Sequence, residues 1–370
     1  MTTKNKVHYV NLSLQWEREK LELLPVIESI LSSGNYIGGN QVEKFEEAAA
    51  KLCGVKYAVA LNSGTDALMC GLAALGVRPG DEVITPPNSF IASTAAIVHL
   101  KAVPVFVDVC EDQNIDPQKI EKAITKKTKA IMPVHLTGRV ASMGEILRVS
   151  EKYSIPVIED AAQSIGSKWS DRMSGSFGAV GCFSTHPLKN LNACGDGGFL
   201  TTNDEKVFQN VSRYRNHGLV DRNTVEFFGL VSRMDALQAG ILNYRISKLQ
   251  ELIRLRRENA ELYKKLLDKN FVFIPADKPE EFNTFHTFVI QVERRDELKN
   301  YLADLGVETS IHYPIPIHLQ PASKNLGYKT GDFPVVETQS RRILTLPIHQ
   351  YLKREEIEFV AESVNRFYRR

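Results

Sequence analysis

The chain has 370 residues, of which 43% are hydrophobic and 24% charged, so a sizeable buried core is feasible and disorder is not expected. Its 46 basic and 44 acidic residues leave a formal charge of +2, which argues against a dedicated nucleic-acid-binding protein. Five scattered cysteines without a C-x-x-C pair predict reduced thiols in a cytoplasmic protein. The sequence shows neither the histidine spacing of a zinc site nor an apolar stretch of about 18 residues, so we predict neither a metal site nor a membrane segment.

Short apolar runs alternate with amphipathic stretches between residues 56 and 205. The predicted strands are Tyr57–Leu61, Glu82–Pro86, Val103–Val107, Ala130–Val134, Pro156–Glu159, Val180–Ser184 and Gly198–Thr202. The predicted helices between them are Thr65–Leu75, Ser89–Leu100, Pro117–Thr125 and Met143–Lys152. Alternation of strands and helices on this scale favours an α/β fold with a mostly parallel sheet that is buried on both faces.

A long helix is predicted over Asp235–Leu267, where apolar residues recur at helical spacing. The charged residues on its other side are expected to form a solvated face; they include Arg254, Arg256, Arg257 and Glu258. The elements predicted after it are strands at Phe271–Ile274 and Thr284–Val292 and helices at Asp296–Leu305 and Arg354–Arg369. The sequence therefore predicts a large domain, residues 1–250, and a smaller C-terminal α+β domain, residues 251–370.

A lysine, Lys189, lies just beyond the predicted strand Val180–Ser184 and is followed by the glycine-rich turn Gly195–Gly198. A lysine that forms a Schiff base must be held at the end of a rigid element and must lose its proton near neutral pH. Burial and a nearby cationic group lower the pKa of a lysine in the required direction. On its own, Lys189 is better explained as one of many surface lysines.

An acidic residue, Asp160, ends the predicted buried strand that lies about 30 residues before the lysine. Open α/β sheets build their ligand sites at the carboxyl ends of parallel strands. A carboxylate placed there suits pyridoxal phosphate, because it keeps the pyridine nitrogen protonated and lets the ring accept electrons. The alternative role for Asp160 is to cap a following helix.

Two further segments sit at strand ends of the same predicted sheet. In the first, Ser63-Gly64-Thr65 leads from a strand into a helix, whose free backbone N–H groups can cradle a phosphate, and Ser184 can add a hydroxyl. In the second, Phe90 follows a strand, where its ring can lie flat on the pyridine, although a core position explains it nearly as well. Together with the segments of Lys189 and Asp160, these make four segments at strand ends, and one bound cofactor explains all four better than separate coincidences do.

The sequence resembles the DegT/DnrJ/EryC1/StrS family of sugar aminotransferases, which have the fold type I of pyridoxal-phosphate-dependent transferases. The resemblance covers nearly the whole chain. It is carried by the segments Gly34–Glu46, Asn62–Leu68, Phe106–Val109, His135–Gly138, Glu159–Gly166, Phe183–Gly198, Arg215–Gly218, Ser232–Ala239, His312–His318 and Leu346–His349. It implies pyridoxal 5'-phosphate as cofactor, glutamate as amino donor, a nucleotide-linked keto sugar as acceptor, and a homodimer with shared active sites.

The resemblance also implies a role for individual residues. Lys189 is the Schiff-base lysine and proton carrier, Asp160 pairs with the pyridine nitrogen, and Gln163 lies near the cofactor's 3'-hydroxyl. The phosphate is held by Gly64, Thr65 and Ser184, and Phe90 stacks on the ring. Substrate contacts are expected at Tyr36, His186, His312, Tyr313 and His318.

Some details of the sequence leave alternatives open. Val231 stands where many members of the family have an asparagine that reaches the neighbouring subunit's cofactor phosphate, so this contact stays unassigned, with Asn223 as one replacement. A lysine at position 189, where a deoxygenating subgroup has histidine, favours transamination. The segment His186–Lys189 is similar to enzymes that act at sugar carbon 4, whereas Gly195–Gly198 is similar to those that act at carbon 3.

Three other functions compete with transfer of an amino group to a keto sugar. A cyclitol ketone can replace the keto sugar as acceptor within the same family. A regulator that keeps the cofactor without turnover is a second possibility, but the chain has an intact lysine and no added DNA-binding region. A dinucleotide-dependent dehydrogenase is disfavoured, because the glycines at 175, 178 and 181 lack the G-x-G-x-x-G spacing and precede a strand instead of following one.

Overall fold

The structure is a computed structural model that describes residues 6–369. Its helices are α1 Leu12–Ser33, α2 Asn40–Cys53, α3 Gly64–Ala74, α4 Ala92–His99, α5 Pro117–Ala123, α6 Met143–Tyr153, α7 Glu205–Tyr214, α8 Ala236–Leu266, α9 Arg295–Asp304, α10 Pro334–Arg342 and α11 Arg354–Arg369. Its strands are β1 Tyr57–Leu61, β2 Glu82–Thr85, β3 Val103–Phe106, β4 Thr128–Ile131, β5 Ile158–Asp160, β6 Lys168–Trp169, β7 Arg172–Met173, β8 Val180–Ser184, β9 Gly198–Thr202, β10 Glu281–Phe282, β11 Phe288–Gln291 and β12 Ile343–Leu346.

Seven strands form the main sheet, in the order β1-β9-β8-β5-β4-β2-β3. Single bridges join Ile131 to Val157 and Val134 to Asp160, and they connect the four-stranded and three-stranded parts of this sheet. All neighbours from β8 to β3 are parallel, whereas β9 runs antiparallel to both β1 and β8. This arrangement confirms the predicted α/β fold with a mostly parallel sheet. The crossovers also bring the carboxyl ends of β2, β5 and β8 to one edge.

The strands of the sheet carry few polar side chains because helices cover both faces. On one face, α3 packs on Ile158, Val180 and Leu200, and Gly71 allows this close contact, since a Cβ there would lie 2.8 Å from Ile158 Cδ1. On the other face, a core built around Phe45 includes the parallel stacked rings of Phe183 and Phe199. Burial on both faces explains why these strands have continuous apolar sequences instead of alternating ones.

The long helix α8 connects two separate cores. Its Leu249 and Ile253 side chains pack with the sheet core, while Ala260 and Tyr263 pack into a second core around β11 and β12. Val7 also belongs to this second core, so the N-terminal segment returns to the C-terminal part of the chain. Of the predicted strands, Phe271–Ile274 is wrong, because Phe273 forms only an isolated bridge to Gln291.

A fully buried carboxylate, Glu159, fastens the loop that follows β7. Its oxygens accept hydrogen bonds from the backbone N–H groups of residues 175, 177 and 178, each at 2.7 Å. The fourth donor is His135 Nε2 at 2.8 Å, and His135 Nδ1 accepts from Ala141 N, which fixes the neutral tautomer of the imidazole. Because Glu159 precedes Asp160 in β5, this network also holds the end of the strand that carries Asp160.

We expect Glu159→Gln to lower the free energy of unfolding by about 2–3 kcal/mol. The amide nitrogen of glutamine would face donors on the loop instead of accepting from them. Urea unfolding of the apo-protein measures this effect. Glu121→Gln is the control, since Glu121 contacts Lys152 and Tyr153 on an exposed surface and its replacement should leave the midpoint nearly unchanged. Equal midpoints for the two variants would contradict a stabilising role for the Glu159 network.

Candidate active site

A cavity of about 340 Å³ opens at the carboxyl ends of β2, β5 and β8. Ten of the twelve side chains or backbone positions predicted for the site line it: Gly64, Thr65, Phe90, Asp160, Gln163, Ser184, His186, Lys189, His312 and Tyr313. The two others, Tyr36 and His318, lie elsewhere. Residues from both cores thus meet in one cavity, and its position at the strand ends is the one that the sheet topology favours for ligand binding.

Lys189 lies in a tight turn after β8, where its backbone N–H donates to His186 O at 2.8 Å. Burial lowers the pKa of Lys189 to about 8, while the Asp160 carboxylate acts in the opposite direction. A substantial fraction of the amine is therefore neutral near physiological pH, unlike a surface lysine. A neutral amine is the form that attacks a carbonyl and accepts a proton.

Asp160 is 5% exposed and is held by two donors. Ser93 Oγ donates to Asp160 Oδ2 at 2.6 Å, and the backbone N–H of Ala162 donates to Oδ1 at 3.2 Å. The structure thus places the Asp160 carboxylate in the cavity wall, with both of its oxygens held by hydrogen bonds. A carboxylate in this position is suited to pairing with a protonated pyridine nitrogen.

The opposite part of the cavity is formed by the N-terminus of α3. Ser63 caps this helix by accepting from Asp66 N at 3.0 Å, which leaves the first N–H groups, at Gly64 and Thr65, facing the cavity. A Cβ at Gly64 would lie 2.7 Å from the Cβ of Ser184, so glycine allows the helix to approach β8 closely. Together the helix end and the Ser184 hydroxyl fit a phosphate group.

We expect Gly64→Ala to weaken cofactor binding by about tenfold to a hundredfold, because the added methyl group displaces Ser184 from the phosphate position. Titration of the apo-protein with pyridoxal phosphate measures this change. Gly144→Ala in α6 is the matched control, since a Cβ there meets no atom within 4 Å. An unchanged dissociation constant for Gly64→Ala would show that this contact does not shape the phosphate site.

Three aromatic or amide side chains complete the cavity wall. Phe90 is 56% exposed and lies 5.9 Å from the Tyr313 ring, measured between ring centroids. Gln163 accepts from Thr137 N at 2.8 Å and donates to the Tyr313 hydroxyl at 3.4 Å, so both ends of its amide are fixed. Phe90 is thus free to cover a flat ligand, which a core position would not allow.

The histidines of the cavity are held in different ways. His312 Nδ1 bonds Thr345 Oγ1 at 2.9 Å, and burial, with a smaller contribution from Lys189, lowers the pKa of His312 to about 4. His312 is therefore neutral at pH 7. His186 is exposed at the mouth, where its backbone N–H lies 3.3 Å from Ser184 Oγ. His312 and Tyr313 come from the second core, so the small-domain contribution predicted from sequence is found in the cavity.

Two predicted substrate residues are not in this cavity. His318 is 2% exposed, bonds Glu337 Oε1 at 3.1 Å through Nε2, and packs edge-on against Phe333. It is a buried structural histidine, so the prediction of a substrate contact at His318 is wrong for this chain's cavity. Tyr36 is 54% exposed and donates to Leu31 O, and it contributes nothing to the cavity of its own chain.

The sequence did not identify all of the cavity residues. Tyr9, Ser93, Arg256, His286 and His349 were missed, although each lines the cavity or bonds a residue that does. The prediction of a solvated helix face was wrong for Arg256, which is 6% exposed, whereas Arg254 pairs with Glu251 and Glu258 on the surface. Arg256 falls between two apolar positions of α8, Ile253 and Ala260, and that spacing was the available signal.

Two negative findings concern the described residues only. Across residues 6–369 there is no helix that is both long and apolar enough to cross a membrane. Within the same range, His, Cys, Asp and Glu side chains nowhere gather in a group of three that would hold a metal ion. Val231 is 52% exposed and its neighbour Asn223 is exposed as well, so neither contacts the cavity within one chain.

Comparison with known proteins agrees with this geometry. The sequence model of the DegT/DnrJ/EryC1/StrS aminotransferase family matches residues 17–365. A dTDP-3-amino-3,6-dideoxy-alpha-D-galactopyranose transaminase of Aneurinibacillus thermoaerophilus is 40% identical, covering 95% of this chain and 96% of the relative. A pleiotropic regulatory protein of Geobacillus stearothermophilus is 38% identical, covering 98% and 99%. The solved structure of DesV from S. venezuelae superposes with a TM-score of 0.96 at 36% identity, covering 99% of both chains.

Proposed function

Because the chain belongs to the DegT/DnrJ/EryC1/StrS aminotransferase family, we propose that it transfers an amino group from glutamate to a nucleotide-linked keto sugar. It is a pyridoxal-phosphate-dependent aminotransferase, and its product serves amino-sugar biosynthesis. The observation that carries the proposal is the presence in one cavity of a partly buried Lys189, whose pKa is lowered to about 8 by desolvation, and the buried Asp160. A structural lysine would need neither the burial nor the carboxylate.

Pyridoxal phosphate, when bound, supplies a ring that accepts the electrons released when a proton leaves the substrate carbon. Asp160 holds the pyridine N–H, and the Ser93 and Ala162 donors keep its carboxylate oriented toward the cavity. The N–H groups of Gly64 and Thr65 and the Ser184 hydroxyl hold the phosphate. Phe90, which lines the cavity, would cover one face of the ring and exclude water from it.

Lys189 moves the proton in both halves of the reaction. Its neutral amine would take the proton from the α-carbon of the donor, and in the second half it would return a proton to the sugar carbon. The neutral His312 neither competes for this proton nor adds a positive charge beside the lysine. One lysine that serves both half-reactions predicts ping-pong kinetics.

For the acceptor we propose a 3-keto sugar. The support is the relative that is 40% identical, whose name places the amino group on carbon 3, together with the Gly195–Gly198 turn. Five free cysteines support a cytoplasmic location, where nucleotide sugars are also made. The nucleotide base is left to the experiment.

We further propose a homodimer with shared active sites. Several large apolar side chains are exposed on one chain, including Leu21 at 81%, Ile37 at 57% and Phe228 at 98%. Exposed apolar groups of this size mark association surfaces. In such a dimer Tyr36 is the residue we propose to reach the partner's cavity, and light scattering that gave the mass of a single chain would contradict this assembly.

The test is a spectral assay of the purified holoenzyme. Glutamate should remove the visible absorption band of the bound cofactor, and dTDP- and UDP-linked 3-keto and 4-keto sugars, added one at a time, should restore it when they are accepted. A cyclitol ketone without a nucleotide completes the panel. No response to any donor would overturn the proposal and favour a regulatory role, a function named for the relative that is 38% identical.

A further inference from the structure

A buried arginine, Arg256, lines the cavity and forms no ion pair with a described acidic residue. Four arginines are less than one-tenth exposed in the described range: Arg139, Arg245, Arg256 and Arg295. Arg139 pairs with Asp277 and Glu281, Arg245 with Glu19, and Arg295 with Asp296. Arg256 has no carboxylate within ion-pair distance among residues 6–369, so its charge lacks the neutralisation that the other three receive.

Part of the Arg256 guanidinium has no hydrogen-bond partner among the described residues. Nη1 donates to Phe285 O at 3.1 Å and to His286 O at 3.2 Å. Nε is buried without a partner, and Nη2 donates to no described residue. Because burial lowers the pKa of Arg256 only to about 10, the group remains charged at pH 7. A buried cation with free donors is a strong site for a carboxylate.

The position of Arg256 relative to Lys189 limits the size of the anion. His286, Lys189 and Arg256 line one cavity, and burial, followed by the charges of Lys189 and Arg256, holds the pKa of His286 well below its ordinary value. A ligand that spans the two cations must therefore carry its anionic group a few bonds away from the atom that meets Lys189. An amino acid has this form, because its α-carboxylate is bonded to the carbon that carries the nitrogen.

We propose that Arg256 binds a carboxylate of the amino donor and positions the donor's nitrogen at the reacting centre. This inference rests on the proposed transaminase function and names the residue that selects the donor. The free His286 Nδ1 and the Tyr9 side chain line the same end of the cavity, and neither introduces a competing negative charge at pH 7.

Arg257 provides a matched control on the same helix. Its Nη1 donates to Asn283 O at 2.7 Å and its guanidinium stacks on the Phe282 ring, so it fastens the same segment as Arg256 does. It lines an outer groove and takes no part in the active-site cavity. A purely structural effect should therefore appear in both Arg256→Gln and Arg257→Gln.

The experiment uses the full-length holoenzyme and glutarate, a dicarboxylate without an amino group, as the probe. Calorimetry should show glutarate binding to the wild type, about 30-fold weaker binding to Arg256→Gln, and about tenfold weaker binding to Arg256→Lys. Arg257→Gln should stay within about twofold of the wild type. The glutamate half-reaction should follow the same ranking, while the half-reaction of the aminated enzyme with keto sugar stays within about threefold for every variant.

Several outcomes would overturn the assignment. They are no glutarate binding by the wild type, equal losses in Arg256→Gln and Arg257→Gln, or an equal loss in the sugar half-reaction, which would point to the nucleotide or to the fold. If Arg256→Gln does not fold, Arg256→Lys is judged by the same criteria. If the wild type responds to glutamate but aminates no keto sugar, the proposed acceptor is wrong. The glutarate titration would still decide the role of Arg256.

Discussion

Replacing Lys189 with alanine is expected to lower the rate of both half-reactions by at least about 10,000-fold. The variant loses the group that carries the proton and the covalent attachment of the cofactor together. The visible absorption band that reports this attachment should be absent. The cofactor should still bind, because Gly64, Thr65, Ser184 and Asp160, which line the cavity, are unchanged. Single-turnover measurements with glutamate give the rate, and equilibrium dialysis gives the amount of bound cofactor.

Lys189→Arg separates the loss of the proton carrier from the loss of a positive charge. Arginine keeps a cation in the same cavity but does not lose its proton at accessible pH. We therefore expect Lys189→Arg to be as inactive as Lys189→Ala. An arginine variant with more than about 1% of wild-type activity would contradict the role of Lys189 as the proton carrier.

Because the pKa of Lys189 is lowered, the rate at which the apo-protein captures pyridoxal phosphate should depend on pH. The protonated amine does not attack the cofactor aldehyde, so capture of pyridoxal phosphate by the apo-protein should accelerate as pH rises through about 8 and level off above it. A midpoint near 10.5, the ordinary value of a lysine, would show that the cavity does not desolvate the amine. Stopped-flow absorbance at several pH values measures the midpoint.

The sheet and most of the site could be predicted from the sequence because they depend on short-range patterns. The strands Tyr57–Leu61, Val180–Ser184 and Gly198–Thr202 have the predicted bounds, since each is an apolar run bordered by polar or glycine residues. Once the strands are known, a parallel sheet places residues such as Asp160 and Lys189 at one edge without further information.

The rest of the site depends on long-range packing that no local pattern contains. Arg256 and Arg257 are neighbours in a charged segment, yet one is buried in the cavity wall and the other stacks on Phe282, because the cores on either side of α8 cover only one face of the helix. His318 lies in a matched motif with His312, but the chain turns between them and directs His318 toward Glu337. Ser93 was missed because a serine in a helix has no distinctive pattern.

Asp160→Asn is expected to lower transamination by about 1,000-fold while leaving the fold intact. Asparagine keeps the size of the side chain and can still accept from Ala162 N, but it brings no negative charge to the pyridine nitrogen. Without that charge the ring nitrogen is not held protonated, and the ring accepts electrons less readily. Single-turnover rates with glutamate measure the loss, and thermal unfolding checks the fold.

Asp160→Asn should also change the pKa of Lys189, in the direction that favours the reactive neutral amine. This separates the effect of the carboxylate on the pyridine nitrogen from its effect on the lysine. Asp160 raises the pKa of Lys189 against the larger effect of burial, so Asp160→Asn should move the midpoint of cofactor capture below about 8. At pH 7 the variant then has more neutral lysine than the wild type and still turns over more slowly. The loss of rate therefore cannot come from a protonated lysine.

Ser93→Ala is the control for this argument. It removes one donor to Asp160 but keeps the negative charge, so we expect a loss of about tenfold or less and only a small change in the capture midpoint. If the transamination rate of Asp160→Asn were no lower than that of Ser93→Ala, the negative charge of the carboxylate would not be needed for the chemistry. A thousandfold loss together with a lowered midpoint has one physical cause, the removal of a negative charge that lies close to both the ring nitrogen and the lysine.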